Sequence, residues 1–519
     1  MNNMLLNIEN WILAISPVVI LLVGILLLRW KTSRVGSIAL LAATLVAYCF
    51  FGADARLLAF ANCKGLSLSL YVLLIIWGAI FLFNVADKAG AINVIGQTIR
   101  GISNDKLIQC LLLAWCFSSL LQGLAGFGVP VAIVAPIMAA IGFEPLTAVA
   151  ACLIGHSWSI SFGSMGSSYN SIQLVTKIPG EIIGPCMALL FAVPIFATGL
   201  EVAHIYRGKE GIKKCLLPIL STALSMSILL WLMNFIGTPQ LASLMAAAGG
   251  CAVMAIWASI YKKTATVASS AKPAKTDMSF CLAATPYFAL ILISIVTQIP
   301  AIRTCFSGYY WGLSYPEMQT SLGYIVEAAL GYSKIKFFSH PAPILFLSAL
   351  IGYFIYSHST TEENARELLP YAVTKTIQKC IPTSVGISTM VMMALVMSDS
   401  GMTNLIAEGV AAAFGNYYPL ASPFIGNLGT FITGSNTNSN IMFGALQYEI
   451  ATLLGKSTVF IAAAQSVGGS LGVAMAPSTI MMGAANVGMT GKENIILSKT
   501  IKYCLLNIAL VGLAVWIFA

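Results

Sequence analysis

Uncharged apolar runs recur along nearly the whole of this 519-residue chain, among them Trp11–Leu28, Gly65–Ala86, Leu107–Phe143, Cys215–Tyr261 and Gly409–Tyr448. About 20 such residues cross the hydrocarbon core of a bilayer as one helix, so the chain has little choice of medium. Composition agrees: 9% of residues are charged, against roughly a quarter in a soluble domain. We therefore read an all-α polytopic membrane protein whose obligatory partner is membrane lipid. The net charge of +9 would suggest nucleic acid in a soluble protein. Here the basic residues sit in short loops, as the positive-inside rule expects, and no nucleic-acid partner is implied. The twelve cysteines are scattered without CxxC spacing and read as small buried hydrophobes, not as a metal or disulfide framework. The first run is followed by no small-residue cleavage site and is read as a retained span.

Two of the runs cannot be continuous helices. Gln122-Gly123-Leu124-Ala125-Gly126-Phe127-Gly128-Val129-Pro130 and Gly429-Thr430-Phe431-Ile432-Thr433-Gly434-Ser435-Asn436-Thr437-Asn438 are dense in residues that stop helices. Irregular backbone survives at membrane depth only where protein packs around it or where it lines a cavity. Two such breaks read as two halves of one site.

Six basic clusters set the orientation: Arg29/Lys31/Arg34, Lys88/Arg100/Lys106, Arg207/Lys209/Lys213/Lys214, Lys262/Lys263/Lys272/Lys275, Arg366/Lys375/Lys379 and Lys492/Lys499/Lys502. Together they hold most of the Lys and Arg, and placing all six inside puts both termini outside. The crossings then close only if Leu107–Phe143 and Gly409–Tyr448 are re-entrant hairpins or paired short spans. That leaves about twelve transmembrane helices plus the broken ones. Residues 1–261 and 278–519 form two transmembrane halves, joined by a basic cytoplasmic linker at 262–277. The loop from Arg303 to His340 belongs to the outer interface. Asp87 and Asp399 each end a span before a short amphipathic segment, and each lies at nearly the same distance ahead of its break. One segment falls inside and the other outside, so the halves are inverted repeats. That pattern points to a secondary transporter with its site near the midplane.

A helix restarting after a glycine break offers free N–H groups and a positive dipole end, which suits the carboxylate of a small organic anion. Gly126, Phe127 and Gly128 would line the first half of the site. Ser435, Asn436, Thr437, Asn438 and Asn440 would line the second, with Gln465 and Ser478 beyond it. The glycines also suit simple close packing of helices, and a surface loop would equally explain the polar run. His156 is the one ionisable side chain in Pro145–Thr176; it reads as a proton relay or as a neutral histidine bonded to backbone. Asp87 and Asp399 read as caps of the next segment. No P-loop, catalytic pair or metal-ligand cluster is present, so the chain is not read as an enzyme or an ATP-driven pump.

At these residues the chain resembles the L-lactate permease family of bacterial secondary transporters. The resemblance is carried by Gly123–Ile133, Gly142-Phe143-Glu144-Pro145-Leu146, Gly429–Asn440 with Phe443–Gln447, Ala476-Pro477-Ser478-Thr479-Ile480 and Gly488–Glu493. It implies import of a small monocarboxylate, lactate or glycolate, with a proton across the bacterial inner membrane and no cofactor. The family usually has an acidic residue where Gln122 stands and an aspartate at Asn436. It also has a lysine near Val473 and an Asn-Thr pair at Gln465-Ser466. The coupling candidates are then His156, Gln122 and Asp399. Another small acid, sodium in place of the proton, and a channel-like protein remain open alternatives.

Overall fold

The computed structural model describes residues 8–28, 30–126, 128–262, 278–306, 308–359 and 362–519. Phe127 and residues 263–277 of the linker lie outside these. The first half runs α1 (Ile8–Leu26), α2 (Thr32–Phe50), α3 (Ala55–Lys88) and α4 (Ala91–Arg100). Next, α5 (Lys106–Cys110), a π-helical segment Leu111–Phe117 and α6 (Ser118–Leu124) form one rod, and α7 (Val129–Ala140) follows the first break. Then α8 (Pro145–Gly155) and α9 (Gly163–Thr176) make one traverse bent by 52°. They lead into α10 (Gly180–Phe235) and α11 (Ala242–Lys262). The second half contains α12 (Phe280–Gln298), α13 (Pro300–Cys305), α14 (Pro341–Ser359), α15 (Glu362–Asp399) and α16 (Met402–Phe414). It ends with α17 (Tyr418–Thr433), α18 (Asn436–Leu453), α19 (Thr458–Gly472), α20 (Pro477–Asn486) and α21 (Glu493–Phe518).

Eleven helices among the described residues are long and apolar enough to cross a membrane, or twelve with the bent pair. That count includes Lys106–Leu124, an arm of a hairpin, and takes α10 once. At 1.5 Å per residue α10 would be about 84 Å long. It is interrupted at Arg207 and Gly208 (φ 60°) into two arms, each long enough to cross. Exchanging the hairpin arm for α10's second arm leaves twelve traverses and two hairpins, as the sequence implied.

One departure from all-α lies in the outer loop. There β1 (Tyr310–Tyr315) pairs antiparallel with β4 (Ala329–Lys336), and β2 (Met318–Gln319) with β3 (Ile325–Val326). Tyr, Trp and Ile favour a pleated, half-buried surface; here Tyr315 meets Phe60 and Tyr332 edge-on.

The repeats are legible element by element. In the first, α3 ends at left-handed Gly90 (φ 77°), followed by α4, the α5–α7 hairpin, the broken α8–α9 traverse and the first arm of α10. In the second, α15 ends at left-handed Gly401 (φ 83°), followed by α16, the α17–α18 hairpin, the broken α19–α20 traverse and α21. The long helices α3 and α15 run antiparallel. Lys64 Nζ meets Asp399 Oδ2 at 2.9 Å, Trp77 Nε1 donates to Ser384 Oγ at 3.0 Å, and Asn84 Nδ2 donates to Thr376 Oγ1 at 2.9 Å. Packing is reciprocal: α2 lies on α15 as α14 lies on α3, and α1 lies on α16 as α12 lies on α4. The two halves interleave and do not form two separate bundles.

Contacts between loops join segments that the charge rule puts on one side. At the inner rim Lys88 pairs with Glu367 at 2.9 Å and Lys214 with Asp105 at 2.7 Å. At the outer rim Ser321 N donates to the Gly52 carbonyl, and Ser457 N to that of Ala519. Asp105 also caps α5 by accepting the N–H groups of Leu107 and Ile108. Burial works to raise its pKa, but Lys214 and the two N–H groups prevail and hold the carboxyl below the usual carboxylate range.

The expectation that Asp87 and Asp399 cap the following segments is corrected. The N-caps of α4 and α16 are Gly90 and Gly401 themselves, with no side-chain cap bond, because the left-handed turn carries the chain round the corner. Asp399 instead shares a buried ion pair with Lys64, whose side chain is 6% exposed. Removing one member leaves an uncompensated buried charge, at a cost of about 3–5 kcal/mol. Asp399→Leu should therefore lower the unfolding temperature of the detergent-solubilised protein clearly, and Lys64→Met/Asp399→Leu should recover most of the loss. Equal loss in single and double variants would show that the pair is not the cause.

Candidate substrate site at the two helix breaks

Each hairpin tip meets the break of the bent traverse in its own repeat. At the first tip Gly126 is left-handed (φ 65°), and a side chain there would collide with Ser164 Oγ. The Ser164 hydroxyl donates to the Ala125 carbonyl at 3.2 Å. The Gln122 amide is wedged between Gly126 and Gly163. At the second tip Gly434 is left-handed (φ 71°), and a side chain would collide with Ser478 Oγ at the start of α20. Gly128 ends the first break and faces Met482 of α20.

The α8–α9 break is the more unusual of the two. Ser164 (φ 48°), Met165 (φ 55°) and Gly166 (φ 72°) are three successive left-handed residues, two of them with side chains. Such conformations cost about 1–3 kcal/mol each for non-glycine residues and persist where the surroundings hold them in place.

The second hairpin is tied to the first repeat's break. Asn436 Nδ2 donates to Ser161 Oγ at 3.0 Å and to the Ser466 carbonyl at 3.2 Å. Asn440 Nδ2 donates to the Ser168 carbonyl and to Ser466 Oγ, both at 2.9 Å. The Thr437 and Ser168 hydroxyls bond at 2.9 Å. Behind them Gln465 Nε2 donates to the Ser439 carbonyl and hydroxyl. Gln447 Nε2 donates to Gln465 Oε1 at 2.8 Å, and the Tyr418 hydroxyl donates to Gln447 Oε1 at 2.7 Å. Ser435 caps α18 through the Asn438 N–H. Five of the six residues of the polar run, Asn436 to Asn440, are buried and Ser435 is half-buried, and a surface loop no longer explains the run.

Four buried oxygens at this junction accept no hydrogen bond from the protein: Thr430 Oγ1, Asn436 Oδ1, Asn438 Oδ1 and Asn440 Oδ1. A buried acceptor without a donor costs about 1–3 kcal/mol. The starts of α7 and α20 carry no side-chain cap; Val129 N donates to the Gly126 carbonyl and Pro130 and Pro477 have no N–H, which leaves Val131, Ser478 and Thr479 to supply the N-terminal N–H groups. The junction therefore offers hydroxyls, amides and helix N-termini, suited to a small polar ligand.

Most of the residues named from sequence come together here: Gln122, Gly126, Gly128, Ser435, Asn436, Thr437, Asn438, Asn440, Gln465 and Ser478. Two do not. His156 ends α8, and its buried ring bonds through Nδ1 to the Cys152 carbonyl at 2.5 Å. Asp399 lies in the ion pair with Lys64. Sequence reasoning left out Ser161, Asn427, Thr430 and Tyr418, whose residue types are ordinary in membrane helices.

Apolar helices in two interleaved repeats, with polar breaks meeting at their junction, define a membrane transporter. The sequence pattern of the L-lactate permease family matches residues 10–519. The chain belongs to that family. An L-lactate permease of Streptococcus iniae is 28% identical over 467 residues, covering 87% of this chain and 93% of the relative. An L-lactate permease of Bacillus subtilis is 27% identical, covering 84% and 83%. The glycolate permease GlcA of Escherichia coli is 26% identical over 535 residues, covering 97% and 94%. Among solved structures, the YdaH transporter of Alcanivorax borkumensis aligns over 89% of this chain and 87% of its own, with a TM-score of 0.48 and 15% identity. As a family member with 11 candidate spans among the described residues, the protein is a multi-pass protein of the bacterial inner membrane and not an enzyme.

Proposed function

We propose that the protein imports a small monocarboxylate of the lactate or glycolate type together with a proton, by alternating access around the junction of the two hairpins. The observation that carries the reading is the set of neutral hydrogen-bonding groups and helix starts without side-chain caps gathered at Gly126, Gly128 and Val129, Ser161–Ser168, Gly434–Asn440 and Pro477–Ser478. Helix N-termini attract a carboxylate without a fixed counter-charge, and neutral partners let it leave again. The names of the relatives support the substrate class. Counterflow tests it: vesicles preloaded with unlabelled L-lactate or glycolate should take up the labelled acid at zero net gradient. No counterflow with either acid would refute the substrate class.

A second reading concerns the coupling ion. The four donorless oxygens of Thr430, Asn436, Asn438 and Asn440 suit a small cation as well as they suit a donor from the ligand, which favours sodium as the alternative.

A cavity of about 510 Å³ lies beneath the β-hairpin at the outer rim, bordered by Tyr169, Asn170, Gln173, Gln240, Lys334 and Lys336. Its wall includes α9 immediately after Ser168, so it is the natural outer approach to the site. Lys334 and Lys336 outnumber Glu181 there, which leaves a positive mouth that concentrates anions. Lys334→Ala/Lys336→Ala is expected to raise KM for uptake several-fold at low ionic strength with little change in maximal rate. The difference should shrink as salt screens the mouth. A salt-independent effect would mean that the lysines act otherwise.

A further inference from the structure

The structure assigns a proton-binding site to Glu201, on the first arm of α10, acting as an acid–amide pair with Asn507 of α21; this rests on the proton-coupled reading above. Glu201 is 6% exposed and Asn507 fully buried. Asn507 Nδ2 donates to Glu201 Oε2 at 2.8 Å. The sister atoms, Glu201 Oε1 and Asn507 Oδ1, have no partner. An ionised carboxylate leaves both as donorless acceptors in a buried site. One proton on Oε1 answers both deficits, because the carboxyl O–H can donate to Oδ1 while the amide N–H donates to Oε2. The amide bond fixes which oxygen takes the proton.

The surroundings offer no counter-charge that would keep the carboxylate ionised. Among the described residues no Lys, Arg or His lies within ion-pair distance of Glu201. One turn on, His204 is held through Nδ1 by the Tyr503 hydroxyl at 2.8 Å. Tyr503 and Cys504 of α21 face the carboxyl. Of the other elements packed on α10, α8 carries Cys152, the π-helical segment Cys116, α5 Lys106 and Cys110, α9 Tyr169, and α11 Cys251 and Tyr261, none of them bonded to Glu201, with Lys262 at the end of α11, and α19 carries no titratable group. An unpaired carboxyl buried in a spanning helix marks a functional site by default.

The site also has a link to the substrate junction. Cys504 Sγ donates to the Leu471 carbonyl at 3.2 Å and lies 3.7 Å from Asn427 Oδ1. Leu471 sits at the end of α19, just before its break, and Asn427 lies on α17 one turn before Thr430. Because α10 and α21 close the two repeats, the carboxyl lies where their relative movement would open or shut it.

The test uses the full-length protein in detergent and in proteoliposomes. Infrared spectra of the resting wild type at neutral pH should contain the carbonyl stretch of a protonated buried carboxyl, absent in Glu201→Gln and retained in Glu449→Gln. In proteoliposomes Glu201→Gln should lose at least tenfold in lactate-induced proton uptake while its counterflow falls far less, with Glu201→Asp intermediate. A structural role would lower both equally. An ionised carboxyl at neutral pH, or equal loss of net uptake and exchange, would overturn the assignment. If wild-type protein itself shows no counterflow, the substrate reading has failed, and the infrared result still decides the protonation of Glu201.

Discussion

Gly126→Leu is expected to lower substrate uptake at least a hundredfold while the protein still reaches the membrane in normal amount. Two independent penalties fall on that position. A side chain in the left-handed region costs about 1–2 kcal/mol, and its first carbon collides with Ser164 Oγ. Ser164 cannot give way easily: it is buried, left-handed itself and bonded to the Ala125 carbonyl. The first tip must shift instead, and a displacement of about 1 Å at a positioned site is enough for a hundredfold loss. The collision is confined to the tip and Ser164, which is why insertion is expected to survive. Gly434→Leu should be milder, since Ser478 is exposed and free to swing away. The two variants are compared by counterflow normalised to protein in the membrane; normal counterflow in Gly126→Leu would remove the first tip from the site.

Asn436→Leu should be nearly as damaging. Its amide bridges the second hairpin to both broken traverses, through Ser161 Oγ and the Ser466 carbonyl. Leucine removes both donations, at about 0.5–1.5 kcal/mol for each lost hydrogen bond, leaves the Ser161 hydroxyl bonded to Ser466 alone, and loosens the junction where the repeats meet. Asn436→Asp is the more informative partner variant. A carboxylate cannot donate, so it can accept from the Ser161 hydroxyl but meets the Ser466 carbonyl only when the side chain is protonated. Its uptake should therefore recover as pH falls, more steeply than the wild type's. A pH profile parallel to the wild type would show that the donation is dispensable.

The two breaks were visible in the sequence because glycine, proline and a six-residue polar run have few uses at membrane depth. The repeat was visible because Asp87 and Asp399 precede those breaks at matching distances, and the basic loops fixed the inversion. Glu201 escaped for a local reason. It follows directly on the uncharged run Ile182–Leu200 and is trailed by His204 and Arg207, so it reads as a residue of the inner rim. Only packing against α21 shows that it is buried. The interleaving of the halves was equally hidden, since hydropathy finds a span but says nothing of its neighbour. His156 stood out because a lone ionisable group in an apolar run is conspicuous; in the structure its Nδ1 bonds to a carbonyl one turn back, away from the two tips. The amide at Asn436 has a physical sense in the structure: it donates to Ser161 Oγ and to the Ser466 carbonyl, as an ionised carboxylate could not.

Accumulation of labelled L-lactate in proteoliposomes, under an imposed proton gradient and separately under an imposed sodium gradient, tests the central claim most directly. Uphill accumulation driven by protons alone is the expected result. Accumulation driven only by sodium would move coupling to the donorless oxygens around Asn436, and none under either gradient would contradict the account of a coupled monocarboxylate carrier.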